Sequence, residues 1–142
     1  MSNYSQYIKI LGEYSEIEVL TENSAKAVLE NIVRKYEYIG ITDMHYLWAN
    51  NLLVPASKRR MKPDELIQFY KKDLTKKLPT APECYLIVDC CDGRYIVCIA
   101  DAESYRKLLI NNYFDFIEIY FVNAMGKILL CVNHVFCVAQ YT

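Results

Sequence analysis

The sequence predicts an α+β fold: one domain over residues 1–142, with N-terminal helices packed on a mostly antiparallel sheet of about four to six strands and one inserted helix. Three observations lead there. Apolar residues recur at helical spacing up to Lys77, and after Pro82 they become β-branched and nearly continuous. An Asp-Gly pair then separates two such runs, which is a hairpin signal. Composition supports a sizeable core, because 54% of the chain is hydrophobic and its 16 basic residues nearly cancel 17 acidic ones. That apolar content, with only 4 Gly and 4 Pro, excludes disordered, collagen-like and linker classes.

The N-terminal half reads as follows. Tyr4, Tyr7, Ile8 and Leu11 are spaced for a short helix over residues 3–10, which Gly12 ends. Ser15–Leu20 alternates Ile17 and Val19 with Glu16 and Glu18, the pattern of a half-exposed strand. From Ser24 the period changes, and Ala25, Val28, Leu29, Ile32, Val33 and Tyr36 form the stripe of an amphipathic helix. Asn23 or Ser24 supplies its N-cap oxygen, and Gly40 lies beyond its far end. Thr42 and Asp43 open a further helix carrying Met44, Leu47, Trp48 and Leu52, which stops before Pro55. Ala56–Lys62 is basic and without period, so it reads as an exposed loop. Pro63 then suits a first helical turn, with Asp64 and Glu65 complementing the dipole and Leu66, Ile67, Tyr70 and Leu74 facing inward. Lys71, Lys72, Lys76 and Lys77 fill its last turns, and Pro79 and Pro82 end it.

Beyond Pro82 the chain is extended. Cys84–Cys90 and Arg94–Ala100 flank Cys91-Asp92-Gly93 as the two arms of a hairpin. Asp101 caps a helix that turns Tyr105, Leu108 and Leu109 inward. Phe116–Val122 places Ile117, Ile119 and Phe121 on one face, with Glu118 and Tyr120 on the other. Met125-Gly126-Lys127 turns into Ile128–Val132, and a tight Asn133-His134 connection leads to Val135–Ala139. Strands such as Arg94–Ala100 are apolar on both sides, which implies a sheet covered on both faces.

Charge and cysteine content narrow the function classes. No apolar stretch approaches the roughly 20 residues of a membrane span. A pI near 6.1 and a net charge of -1 disfavour direct nucleic-acid binding, for which a domain pI above about 9 is usual. The six cysteines (Cys84, Cys90, Cys91, Cys98, Cys131 and Cys137) sit mostly in apolar runs, where free cysteine packs as a small hydrophobe. Met1–Ile10 shows no basic-then-apolar export pattern, so reduced thiols in a cytoplasmic protein are expected.

No catalytic, metal or cofactor motif emerges. Cys131, His134 and Cys137 are spaced three apart, the one arrangement worth testing for zinc, but a strand–turn–strand does not make them converge. Cys90 or Cys91 with His134 would define a nucleophile, yet Asp89, Asp92 and Asp101 would raise the thiol pKa rather than lower it. His45, beside Tyr46 and Trp48, reads as a rim residue. Lys58-Arg59-Arg60-Met61-Lys62 is a basic cluster that would serve a nucleic-acid or regulatory adaptor. The remaining excess is aromatic, with 13 Tyr against 5 Phe and a single Trp. Tyr38, Tyr46, Tyr95, Tyr113, Tyr120 and Tyr141 exceed what the inward stripes need, and exposed aromatics beside carboxylates are the content of interface hot spots. Glu13, Tyr14, Glu16 and Glu18 form one candidate partner-binding surface, and Glu118 with Tyr120 forms another.

The order of segments adds a resemblance. Cys84-Tyr85-Leu86-Ile87-Val88-Asp89, Ile99-Ala100-Asp101-Ala102-Glu103, Phe114–Val122 and Cys131-Val132-Asn133-His134-Val135-Phe136 run as strand, D-A-E helix start, aromatic-acidic strand and a short strand into Asn-His. Over residues 84–137 this resembles the small cytosolic immunity proteins of bacterial contact-dependent inhibition and other polymorphic toxin systems. The resemblance implies a non-catalytic protein whose partner is a cognate toxin domain. Such families are often acidic when the toxin is a nuclease, and this nearly neutral chain departs from that pattern.

Overall fold

A computed structural model describes residues 3–40, 44, 54–79 and 83–141. Among them are five α-helices and seven strands, one strand more than the upper expectation. In chain order these are α1 Asn3–Leu11, β1 Glu18–Val19, α2 Glu22–Tyr36, β2 Ser57–Arg60, α3 Pro63–Lys72, α4 Leu74–Lys77, β3 Cys84–Asp89, β4 Tyr95–Ala100, α5 Ala102–Asn112, β5 Glu118–Val122, β6 Ile128–Val132 and β7 Cys137–Gln140. The strands form a single antiparallel sheet in the order β1-β4-β3-β5-β6-β7-β2. The fold is α+β, as its pattern of periods predicts. The helix expected from Thr42 to Leu52, and His45 with it, lies outside the described residues apart from Met44.

Period-two alternation divides the apolar strand residues between two cores. Leu86, Val88, Cys98 and Phe121 face one way, against α1, α3, α4 and α5. Ile87, Val97, Tyr120 and Cys131 face the other, against α2 and Met44. The inner strands β3, β4, β5 and β6 are therefore apolar on both sides because each side has a cover. Two tyrosine hydroxyls fasten helices to the sheet. Tyr105 on α5 donates to the carbonyls of Cys84 (2.7 Å) and Cys98 (3.2 Å), bridging β3 and β4. Tyr36 on α2 accepts the Ile128 N–H at 2.8 Å, at the start of β6. Gly126 in the β5–β6 turn has φ 85°, and a Cβ there would meet the Asn31 side chain at 3.0 Å, so this turn packs close on α2.

Several local expectations are corrected. Thr21, rather than Asn23 or Ser24, caps α2: its Oγ1 accepts the Ser24 N–H at 3.3 Å, and the helix begins at Glu22. Of Ser15–Leu20 only Glu18 and Val19 pair as strand, because the chain must leave the sheet to start α2. Ala56–Lys62 is not a loop. Ser57–Arg60 pairs with Cys137–Gln140 as an edge strand, exposed throughout, and charged residues are what an edge strand carries to deter further pairing. The Asn133-His134 connection is a longer turn through Phe136. At Asp101 the expectation holds, since its carboxylate accepts the Ser104 N–H at 2.7 Å and opens α5.

Candidate functional site: an aromatic and acidic rim

One end of the sheet gathers three connections: the β3–β4 hairpin tip at Cys90–Arg94, the segment Tyr113–Ile117 that enters β5, and the turn Asn133–Phe136 between β6 and β7. Their adjacency follows from register, because Asp89 pairs with both Tyr95 and Glu118, and Ile119 pairs with Val132.

The hairpin tip is held by side-chain acceptors. Asp89 Oδ1 accepts the Cys91 N–H at 2.8 Å, and Asp92 Oδ1 accepts the Arg94 N–H at 3.1 Å. The positive φ of Cys91 (60°) and Gly93 (88°) lets the backbone close. The Arg94 guanidinium donates to Asp92 Oδ2 from Nε at 3.1 Å and from its terminal nitrogen at 2.7 Å, and it lies 4.5 Å from the centre of the Tyr4 ring.

The Asn133 turn is organised in the same way. Asn133 Oδ1 accepts the N–H groups of Val135 and Cys137, both at 3.0 Å. Phe136 adopts φ 59°, a left-handed conformation unusual for a bulky residue and one that proteins tend to concentrate at functional positions. Its ring packs 6.2 Å from Tyr113 and 6.3 Å from Phe114, while Tyr113 and Phe114 lie 6.3 Å apart, all at steep angles. Phe114 is 74% exposed and Val135 is 38% exposed. Phe114, standing in solvent on the half-buried rings of Tyr113 and Phe136, forms an apolar patch of the kind that marks an interaction site.

A carboxylate and a histidine lie at the same end of the sheet, on the face that α2 covers. Glu118 Oε1 lies 3.8 Å from His134 Nδ1, and its other oxygen accepts the Tyr120 hydroxyl at 3.4 Å. Tyr120 itself is 2% exposed, packed among the residues of the α2 face. The pairing of Glu118 with Tyr120 as a surface is therefore corrected. Glu118 reaches the rim, whereas the Tyr120 ring is core, because β5 is covered on both faces.

The other candidate surface is split. Glu13, Glu16 and Glu18 are exposed, but Glu18 pairs with Ile99 at the opposite end of β4 from the hairpin tip. Tyr14 is half-buried, and its hydroxyl accepts from the side chains of Asn111 (3.2 Å) and Asn112 (3.0 Å) in the last turn of α5, next to Tyr113. Tyr38 is 78% exposed, Tyr95, Tyr113 and Tyr141 are half-buried, and Tyr46 lies outside the described residues.

Cys84, Cys90, Cys98 and Cys131 are buried and held as neutral thiols. Burial pushes Cys84 and Cys98 up to about 12 and Cys90 to about 11, with Asp92 and Asp89 adding to the shift at Cys90. Cys91 is the exposed one, and its pKa is also raised, by partial desolvation and then by Asp89, Glu118 and Asp92. A thiolate nucleophile needs the opposite surroundings. Cys131 and Cys137 are buried while His134 is exposed, and among the described residues no three His, Cys, Asp or Glu groups could hold a metal ion. In the basic cluster, Arg59 is ion-paired with Glu65 of α3, while Lys58 and Arg60 remain on the exposed edge strand. Among the described residues no helix is long and apolar enough to cross a membrane.

No family model, curated protein or solved structure matches this chain. The rim thus stands on its own chemistry: apolar contact area from three rings, and a Glu118–His134 pair at the same end of the sheet. Two adjacent aromatics, Tyr113-Phe114, between a helix end and a strand and outside either period were the sequence signal for it. Phe136 gave no such signal, since its position depends on the backbone of the turn.

Proposed function

We propose that this chain is a cytoplasmic, non-catalytic immunity protein that binds a cognate bacterial toxin domain and occludes its active site or an essential surface. The observation that carries the reading is the Tyr113–Phe114–Phe136 cluster, in which Phe114 stands in solvent on two half-buried rings at the end of the sheet that also carries Glu118 and His134. Aromatic rings of this kind supply most of the energy of tight protein–protein contacts, and a polar border excludes water around them. The segments that carry the family resemblance contribute two of the three connections of the rim, the entry to β5 and the Asn133 turn. The raised thiol pKa values and the acidic surroundings of Cys91 favour binding over nucleophilic chemistry.

Co-expression with the toxin domain encoded immediately upstream tests the proposal. Growth rescue and a stable purified complex are expected, and Phe114→Ser is expected to lose both while remaining folded. Failure of the unaltered chain to rescue or to bind would refute it.

A further inference from the structure

The exposed Phe114 ring is joined to the loop between α1 and β1 through the last turn of α5. The Tyr14 hydroxyl accepts from the side chains of Asn112 and Asn111 at 3.0 and 3.2 Å, and the Asp115 N–H donates to the Asn112 carbonyl at 3.1 Å. Tyr14, Tyr113 and Phe136 all pack on the same core, the one covered by α1, α3, α4 and α5. The loop is itself fixed: the Tyr14 N–H donates to the Leu11 carbonyl and the Ile17 N–H to the Tyr14 carbonyl, both at 3.1 Å, and Ile17 is buried. Glu13 and Glu16 are thereby held exposed on either side of Tyr14.

The charges on this flank of the ring do not cancel. Glu13 and Glu16 are exposed and Asp115 is half-buried, and none of the three has an ion pair among the described residues. Lys9, in the last turn of α1, is the nearest cation along the chain and pairs with none of them. Lys107 of α5 acts on Asp101 at the start of that helix, whose carboxyl the Ser104 N–H and then this lysine hold low. Many of the remaining cations sit apart, with Lys71, Lys72, Lys76 and Lys77 on α3 and α4 and Arg60 on the β2 edge. The net charge of -1 is therefore a sum over segregated regions. An apolar ring on a fixed base, with uncompensated carboxylates along one flank, complements an apolar socket that has ammonium or guanidinium groups beside it.

We propose that the rim and the Glu13–Glu16 loop are one continuous docking surface, whose occupant is a protein face that seats Phe114 in an apolar socket and sets lysine or arginine side chains against Glu13, Glu16 and Asp115. That this face belongs to the toxin domain rests on the immunity reading, whereas its cationic character rests on the charges alone.

Hexalysine is the probe for the isolated protein. Its amide chemical-shift changes should centre on Glu13, Glu16 and Asp115, and they should vanish in about 0.5 M salt. Glu13→Lys with Asp115→Lys, both outside helix and strand, should weaken this binding by about tenfold or more, while Glu30→Lys on the exposed side of α2 should change it less than about twofold. With the toxin domain encoded upstream, the same double variant should slow association by about tenfold and alter dissociation far less. Shifts centred elsewhere, equal weakening by Glu30→Lys, or an association rate that ignores both salt and the double variant would each overturn the proposal. Hexalysine bound at this face of a chain that neither binds nor neutralises the toxin domain would support the surface and refute the immunity reading.

Discussion

Asp89 and Glu118 stand directly opposite each other on neighbouring antiparallel strands, β3 and β5, at the end of the sheet that carries the rim. Facing like charges cost a sheet about 0.2–1 kcal/mol. Here each carboxylate has a separate compensation: the Cys91 N–H for Asp89, and the Tyr120 hydroxyl with His134 for Glu118. An uncharged residue at either position would suit the strand better, which fits a role at a surface for Glu118. Glu118→Gln keeps an oxygen acceptor for Tyr120 and removes the repulsion. It is expected to stabilise the fold by roughly 0.5 kcal/mol in urea denaturation at neutral pH. It should also weaken toxin binding. A clear loss of stability would show that the carboxylates do not oppose each other energetically.

The aromatic cluster makes a sharper demand. Phe114 contributes little to the core, since most of its surface is already in water. Phe114→Ala should therefore move the melting temperature by less than a degree or two, yet a central hot-spot residue costs about 2 kcal/mol or more of binding, roughly 30-fold in Kd. Phe136→Ala removes a half-buried ring that packs on the core and should lower both stability and affinity. Equal affinities for the unaltered chain and Phe114→Ala, measured by calorimetry with the upstream toxin domain, would move the interface elsewhere.

Much of this architecture is legible in the sequence because local and long-range signals agree. The β3–β4 hairpin combines an Asp-Gly turn with apolar arms, and α5 combines an Asp cap with an inward stripe of Tyr105, Leu108 and Leu109. The edge strand β2 was not legible. Ser-Lys-Arg-Arg has no apolar period, and only its backbone pairing with β7 makes it a strand. Tyr120 is not legible as core for a different reason: alternation separates two faces of β5 but does not say that α2 and Met44 cover the second one. The rim required non-local information throughout, since Glu118, His134 and the hairpin tip are brought together only by strand register.

The tyrosine hydroxyls that join helices to the sheet predict graded losses. Tyr105→Phe removes a donor shared by the Cys84 and Cys98 carbonyls, which remain strand residues with other lone-pair options, so a cost of about 1 kcal/mol is expected. Tyr36→Phe leaves the buried N–H of Ile128 without its acceptor, and an orphaned donor costs about 1–3 kcal/mol. Guanidinium denaturation should thus rank Tyr36→Phe as the more damaging of two chemically identical changes. The reverse order would indicate that another acceptor reaches Ile128.

The buried thiols give the fold a specific alkaline weakness. Cys84, Cys98 and Cys90 titrate near 9.0 when unfolded but only at about 12, 12 and 11 in the folded chain, because burial disfavours the thiolate. A folded-state pKa raised in this way contributes stability that is fully present below the unfolded pKa and is lost as pH rises through the folded one. Between those limits the native state holds a proton that the unfolded state has released, so each thiol contributes a slope approaching about -1.4 kcal/mol per pH unit. The raised pKa values of buried Tyr7 and Tyr36 add to the same trend at higher pH. Urea midpoints should therefore be flat from neutral pH to about pH 8.5 and fall steeply above pH 9 under reducing conditions. Cys98→Val, which replaces a fully buried thiol with an apolar group that cannot ionise, should shallow that fall by one thiol's share. A midpoint that stays constant through pH 10.5, or a Cys98→Val slope equal to that of the unaltered chain, would show that the thiols are not held neutral by burial.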